Sequence, residues 1–324
     1  MTTTIQPDQA AWFAQTFDQL VGNVEAAIKG KTNVVRLALT CLLSNGHLLL
    51  EDVPGTGKTM LARSLAATVH GSHHRIQFTP DLLPSDVTGV TIYNQSTGGF
   101  DFHPGPIFAN LVLADEINRA SPKTQSALLE VMEEGRVSVD GIGHETPKPF
   151  MVMATMNPVE QAGTYELPEA QLDRFLMKTT LGYPDHDTTV GLLADGATAD
   201  RSSYVRPLIT DTALLEMAQL AGTVHTDRAV LAYVSQVAEA TRAAPEAALG
   251  VSVRGCLALV RSVKTWAATQ GRTYVTPDDV KHLVLPVFGH RILLTPDAQF
   301  AGVSADQVLE RILADVRPPS GVPA

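Results

Sequence analysis

His47-Leu48-Leu49-Leu50-Glu51-Asp52-Val53-Pro54-Gly55-Thr56-Gly57-Lys58-Thr59-Met60 is the stretch whose reading decides the fold. A short apolar run, a glycine-rich turn and an amphipathic segment over 60–69 predict strand, loop, helix. A loop in this setting can wrap its amides around phosphate oxygens, and the helix aims its positive N-terminal end at the same charge. Gly55 and Gly57 give the chain room to do so, Lys58 can reach β- and γ-phosphates, and the Thr59 hydroxyl can ligate magnesium. One residue departs from the usual phosphate-loop pattern: Asp52 stands where a glycine is usual, at the start of the turn, where no close approach to the ligand is required. A plain strand-to-helix connection is the competing reading, and the strand before and helix after argue against it.

Working outward, further apolar runs at 75–78, 110–114, 150–154 and 175–181 alternate with helical patterns, which predicts a mostly parallel sheet covered on both faces. Before the loop, Trp12, Phe13, Phe17, Leu20, Val24 and Ile28 recur at helical spacing, and Gly22 suggests a helix, a turn and a second helix. Another helix is expected over 32–43. Hairpins are expected around Val90-Thr91-Ile92-Tyr93 and from Arg136 to Phe150. Past Gly182-Tyr183-Pro184 only helical patterns remain, at 212–220, 228–241, 252–269 and 277–285. The last opens with Thr276 as N-cap, Pro277 in the first helical position and Asp279 in the first turn. The expected organisation is a nucleotide-binding core over 1–185 with N-terminal helices, a linker over 186–206, a helical domain over 207–318 and a loose tail over 319–324.

A chain of 324 residues is long enough for two domains, and 44% hydrophobic with 18% charged residues suits packed cores in water. The formal net charge of −10 repels phosphate backbones on average, which disfavours nucleic acid as a partner. The first residues lack a signal-peptide pattern and no apolar run approaches the roughly 20 residues of a membrane span, so the cytoplasm is expected. Cys41 and Cys256 read as buried thiols. His73-His74 and His144 lack carboxylate or thiolate partners at ligand spacing and read as solvated.

Leu111-Val112-Leu113-Ala114-Asp115-Glu116 is an apolar strand ending in two carboxylates. Asp115 is placed to hold magnesium's water shell, and Glu116 to orient or deprotonate an attacking water. The strand at 150–154 runs into Asn157, whose amide would stand at the C-terminal end of the sheet, where such folds bind ligands. Charge developing on a γ-phosphoryl group calls for an arginine, worth about 10³ to 10⁵ in rate or roughly 4 to 7 kcal/mol. Arg174 and Arg254 are the candidates, and spacing does not choose between them.

Taken together, Val53-Pro54-Gly55-Thr56-Gly57-Lys58-Thr59, Ala114-Asp115-Glu116-Ile117-Asn118-Arg119-Ala120, Ala154-Thr155-Met156-Asn157-Pro158 and Glu169-Ala170-Gln171-Leu172-Asp173-Arg174-Phe175 resemble the MoxR family of AAA+ ATPases. Thr124-Gln125-Ser126-Ala127-Leu128-Leu129-Glu130 and Leu20-Val21-Gly22-Asn23 extend the likeness over nearly the whole chain. The resemblance implies an α/β AAA+ P-loop core, with a parallel five-stranded sheet flanked by helices, and a C-terminal all-helical lid. It implies ATP and Mg²⁺ as cofactors. Pro54, Gly55, Thr56, Gly57, Lys58, Thr59 and Met60 would form Walker A, and Asp115 and Glu116 Walker B, with Thr59 and Asp115 at the metal. Asn157 would be sensor 1, Arg174 an arginine finger acting on the neighbouring subunit's ATP, and Arg254 sensor 2, although Val253 stands where the family usually has proline. Val21 and Gly22 would approach the adenine, and the two hairpins match the helix-2 insert and the pre-sensor 1 hairpin. The implied partners are further copies in a ring, expected to be hexameric, a client protein, and a von Willebrand factor A domain protein. The implied role is chaperone-like: remodelling, maturing or inserting metal into clients. A DNA-acting motor of the same clade and a metal-chelatase motor subunit are the alternatives. A DNA motor would show a basic stripe or an appended DNA-reading module, and neither is seen in the sequence.

Overall fold

Leu48, Leu49 and Leu50 are all wholly buried, so both faces of the strand they form are covered, as the uninterrupted apolar run requires. The computed structural model describes residues 4–53, 55–157, 164–194 and 204–319. Pro54 and nearly all of the expected tail lie outside the described residues. In chain order the first half forms α1 (Pro7–Glu25), α2 (Thr32–Leu43), β1 (Leu48–Glu51), α3 (Lys58–Thr68), β2 (His73–Gln77), α4 (Pro84–Thr88), β3 (Gly89–Asn94), β4 (Gly99–Pro104), β5 (Leu111–Asp115) and α5 (Pro122–Glu134). Then follow β6 (Arg136–Val139), β7 (Ile142–Glu145), β8 (Met151–Met156), α6 (Glu169–Leu172), β9 (Met177–Thr179), α7 (His186–Ala194), α8 (Asp211–Gly222) and α9 (Arg228–Ala243). The last elements are β10 (Ala247–Leu249), α10 (Val253–Thr269), α11 (Pro277–Phe288), β11 (Leu293–Leu294), α12 (Pro296–Phe300) and α13 (Ala305–Asp315).

Five strands join in the order β2-β5-β8-β1-β9. The pairs β2–β5, β5–β8 and β1–β8 run parallel. Ile76 and Ala154 flank Ala114, and Leu50 pairs with Thr155, so the C-terminal ends of these four strands come level. That edge is where open parallel sheets bind ligands. The two expected hairpins form as β3–β4 and β6–β7, each a separate antiparallel pair. Phe102 of one stacks on His144 of the other at 3.9 Å between ring centroids.

The residues fall into two compact units. One holds 20–174 and 179–215. The other holds the chain up to Gln19, Phe175–Lys178 and everything from Glu216 onward. The division is discontinuous, where the sequence suggested consecutive blocks. Physical contacts explain this: Ala14 lies within van der Waals distance of a Cβ placed on Gly271, and the Phe175 carbonyl is held by Arg291. The span expected as a linker opens with α7. Nor does Gly22 break the first helix, since α1 runs through it to Glu25. A helical glycine costs about 1 kcal/mol, and the buried stripe of Phe13, Phe17, Leu20, Val21 and Val24 outweighs it.

In the helical unit, α9 buries Val230, Tyr233, Val234, Val237 and Ala238, an i, i+3, i+4, i+7 stripe. Thr276 and Asp279 form a capping box at the start of α11, as the sequence predicts, and Arg272 donates to Asp279 Oδ2 at 2.7 Å. Neither Cys41, which is buried, nor Cys256, half-buried, joins a disulfide. Among the described residues no helix is long and apolar enough to cross a membrane.

Candidate nucleotide site

At the end of β1 the chain turns through Gly55 and Gly57, both at positive φ (83° and 99°), a backbone setting that strains any residue with a Cβ. Gly57 is the N-cap of α3, so the helix begins at Lys58 with its first amides directed at the loop. A cavity of about 460 Å³ opens here, lined by Gly55, Gly57, Lys58, Thr59, Met60, Arg63, Arg75, Asp115 and Glu116. The buried Lys58 donates through Nζ to the Asp52 carbonyl at 3.2 Å, and the Thr56 hydroxyl donates to the Val53 carbonyl at 3.4 Å.

Asp52, the residue that breaks the usual loop pattern, has a distinct structural role. Its buried carboxylate accepts from the Leu181 and Gly182 amides at 2.6 and 2.8 Å through Oδ2, and from Val53 N at 3.2 Å through Oδ1. Asp52 thereby ties the start of the loop to the segment following β9, and stays out of the cavity wall.

Asp115 ends β5 and Glu116 follows it, both lining the same cavity. Asp115 Oδ2 pairs with Arg75 at 2.5 Å, and its Oδ1 accepts from the Thr155 hydroxyl at 2.6 Å. The Thr155 oxygen in turn accepts from the Glu116 amide at 2.8 Å. Glu116 adopts the left-handed conformation (φ 57°, ψ 50°) that side chains other than glycine rarely take, and such strain concentrates at functional sites. Its Oε2 accepts from Gln77 at 2.8 Å and from Arg119 at 3.2 Å. Each of the two anions therefore has a cationic partner, which offsets the cost of placing them side by side.

Residue motifs did not single out Arg63, Arg75, Gln77 or Thr155. Sheet register brings three of them in: Arg75 and Gln77 alternate on β2, and Asp115 pairs with Gln77, so both side chains reach the acidic strand end. Thr155 follows Ala154, the register partner of Ala114, just as Asp115 follows Ala114.

The other expected site residues are not among those lining the cavity. Asn157 directly follows β8 and is buried. Arg174 pairs with Glu133 of α5 at 2.9 Å. Val21 is buried in α1, and neither it nor Gly22 lines the phosphate cavity. Arg254 is exposed in the first turn of α10, in the helical unit, behind the N-cap Ser252.

Oxygen ligands of the hydroxyl and carboxylate type suit magnesium, which binds through one or two protein groups together with phosphates. Thr59 and Asp115 on one cavity wall supply that donor set.

A phosphate loop before a helix, an acidic strand end level with it and a separate helical unit define a nucleotide-binding AAA+ ATPase with its lid. Comparison agrees. The family model for ATPases associated with various cellular activities matches residues 47–177, and the AAA lid domain model matches residues 239–312. The chain is 40% identical over 314 residues to chaperone MoxR1 of Mycobacterium tuberculosis, covering 94% of this chain and 82% of that one. It is 46% identical over 299 residues to protein YeaC of Bacillus subtilis, covering 92% and 93%. The crystal structure of a candidate ATPase from Cytophaga hutchinsonii superposes with a TM-score of 0.90 at 36% identity, covering 97% and 98%. The chain belongs to the MoxR family of AAA+ ATPases.

Proposed function

We propose that this ATPase hydrolyses ATP to ADP and phosphate with magnesium, as a ring of identical subunits, and uses the cycle to remodel client proteins. The observation that carries the reading is the convergence of Lys58, Thr59, Asp115 and Glu116 on one cavity at the start of α3. Lys58 and the α3 amides would bind the phosphates. Thr59 and Asp115 would hold magnesium, which would neutralise charge on the phosphate oxygens. Glu116 would accept the proton of the attacking water, and Asn157 would help fix that water. Before it can do so, Glu116 must exchange its bonds to Gln77 and Arg119 for one to water.

Arg174 would complete the site of the next subunit. Its pair with Glu133 is partly exposed, with side-chain exposures of 28% and 39%, and such pairs are worth about 0–1 kcal/mol. Releasing Arg174 is therefore cheap beside the roughly 4 to 7 kcal/mol a transition-state arginine supplies. Arg254 would act from the lid. Client contact is supported by the hairpins, which expose Ile92, Tyr93, Phe100 and Ile142, an apolar surface expected at interaction sites. The chaperone name of the Mycobacterium relative favours protein clients; a von Willebrand factor A domain protein is the partner that the sequence resemblance alone implies.

The test is capture from native lysate on Glu116→Gln loaded with ATP, scoring protein and nucleic acid in one eluate. Recovery of a von Willebrand factor A protein or an immature metalloprotein is the expected result. Salt-sensitive DNA with no protein partner would overturn the chaperone role.

A further inference from the structure

Arg291 is a buried arginine in the helical unit, and the proposed hydrolytic chemistry leaves it without a task. Its guanidinium donates to the Phe175 carbonyl at 2.6 Å, to the Leu176 carbonyl at 3.2 Å and to the Val287 carbonyl. Beside it, His290 Nε2 lies 3.0 Å from the same Phe175 carbonyl. Burial, and then the Arg291 charge, hold the His290 pKa well below the ordinary imidazole value, so the ring is neutral and adds no like charge. Phe175 and Leu176 are themselves buried. They immediately follow Arg174.

We infer that Arg291 is a positioning residue for Arg174, fixing the main chain just after the finger through the carbonyls of Phe175 and Leu176. Burying a guanidinium is costly, and an apolar side chain of similar volume would fill the space at less expense. What the arginine adds is direction. Its planar fork presents N–H groups at set angles to two successive carbonyls, which fixes the orientation of the peptide between them, as the point charge of a lysine would not. The Arg174 backbone is one residue away, and a misplacement of about 1 Å at a catalytic group can cost roughly a hundredfold in rate.

A second contact carries the same guanidinium toward the lid's candidate arginine. A Cβ placed on Gly255 would lie 2.9 Å from Arg291 Cδ, and Gly255 follows Arg254 in the first turn of α10. One buried side chain thus abuts the residue after Arg254 and grips the two residues after Arg174.

The inference rests on Arg174 acting as a finger in trans, and the experiment separates the two. Full-length Arg291→Lys is assayed for ATP turnover and ATP affinity, alone and mixed with excess Lys58→Ala subunits, in parallel with Arg174→Ala. Lys58→Ala subunits bind ATP weakly but present an intact finger, so they rescue a neighbour whose only defect is its own finger. The expected result is a fall in kcat of about ten- to a hundredfold, ATP affinity within about twofold, and recovery of turnover in the mixture. Wild-type turnover in Arg291→Lys overturns the positioning role. So does a loss that the mixture fails to rescue while rescuing Arg174→Ala. If Arg174→Ala is not rescued either, the trans finger itself is refuted and the positioning role falls with it. Should Arg291→Lys melt early, Arg291→Met serves instead, since an apolar side chain of similar volume fills the buried site while removing the fork that holds the Phe175 and Leu176 carbonyls. The same kcat loss with rescue is expected, and an unaltered kcat refutes the inference.

Discussion

Replacing Asp52 by glycine would give the phosphate loop its usual first residue, and we expect it to weaken the protein. Asp52 Oδ2 takes the Leu181 and Gly182 amides at 2.6 and 2.8 Å, and Oδ1 takes Val53 N at 3.2 Å. Hydrogen bonds to a charged acceptor are worth about 1.5–3 kcal/mol each, and a buried N–H left unpaired loses its full desolvation cost. With Leu181 buried and Gly182 half-buried, two such bonds amount to about 3–5 kcal/mol for Asp52→Gly. Asp52→Asn should cost less, about 1–2 kcal/mol, because its amide oxygen still accepts both N–H groups while its NH₂ faces Val53 N. At about 2–4 °C per kcal/mol the glycine variant should melt roughly 6–20 °C lower. Both tryptophans, Trp12 and Trp266, belong to the helical unit, so fluorescence is the wrong probe. Circular dichroism melts with hydrogen exchange at the 181 and 182 amides report the correct unit. A glycine variant that melts with the wild type, and whose two amides exchange no faster, would refute the reasoning.

Lys58→Ala should raise the dissociation constant for ATP by at least about tenfold, since it removes the cavity's phosphate-reaching cation, and equilibrium binding of a labelled nucleotide measures it. Glu116→Gln should bind ATP with near wild-type affinity yet lose about 10² to 10⁴ in turnover; normal phosphate release would remove Glu116 as the water-activating group. His290 gives a pH signature. Its folded pKa lies well below the 6.5 of an ordinary imidazole, so between those two values the unfolded chain holds the extra proton and stability falls as pH falls. Stability should therefore fall as the pH drops below 6.5, and urea unfolding of His290→Gln should show a correspondingly flatter pH dependence. An unchanged slope would contradict the assignment.

Much of the site was legible because its signals are local. The Gly55 and Gly57 turn, the apolar strand ending in Asp115 and Glu116, and the Thr276 cap depend on neighbours a few residues away, where periodicity and residue type report directly on geometry. The helix break expected at Gly22 shows the limit of that logic, since a buried stripe continuing on both sides overrides one residue's propensity.

Sequence by itself determined the phosphate loop, the five strands of the parallel sheet, the two hairpins and the identity of the acidic pair; it missed the continuity of α1, the helix α7 and the short β10–β11 pair in the helical unit. Only the tertiary structure decided what holds them. The Asp52 carboxylate meets amides 129 and 130 residues away, Arg75 reaches Asp115 across 40 residues, and Arg291 grips a carbonyl 116 residues earlier. Each partner is chosen by sheet register or by packing of one element on another, and no periodicity within either segment encodes the meeting.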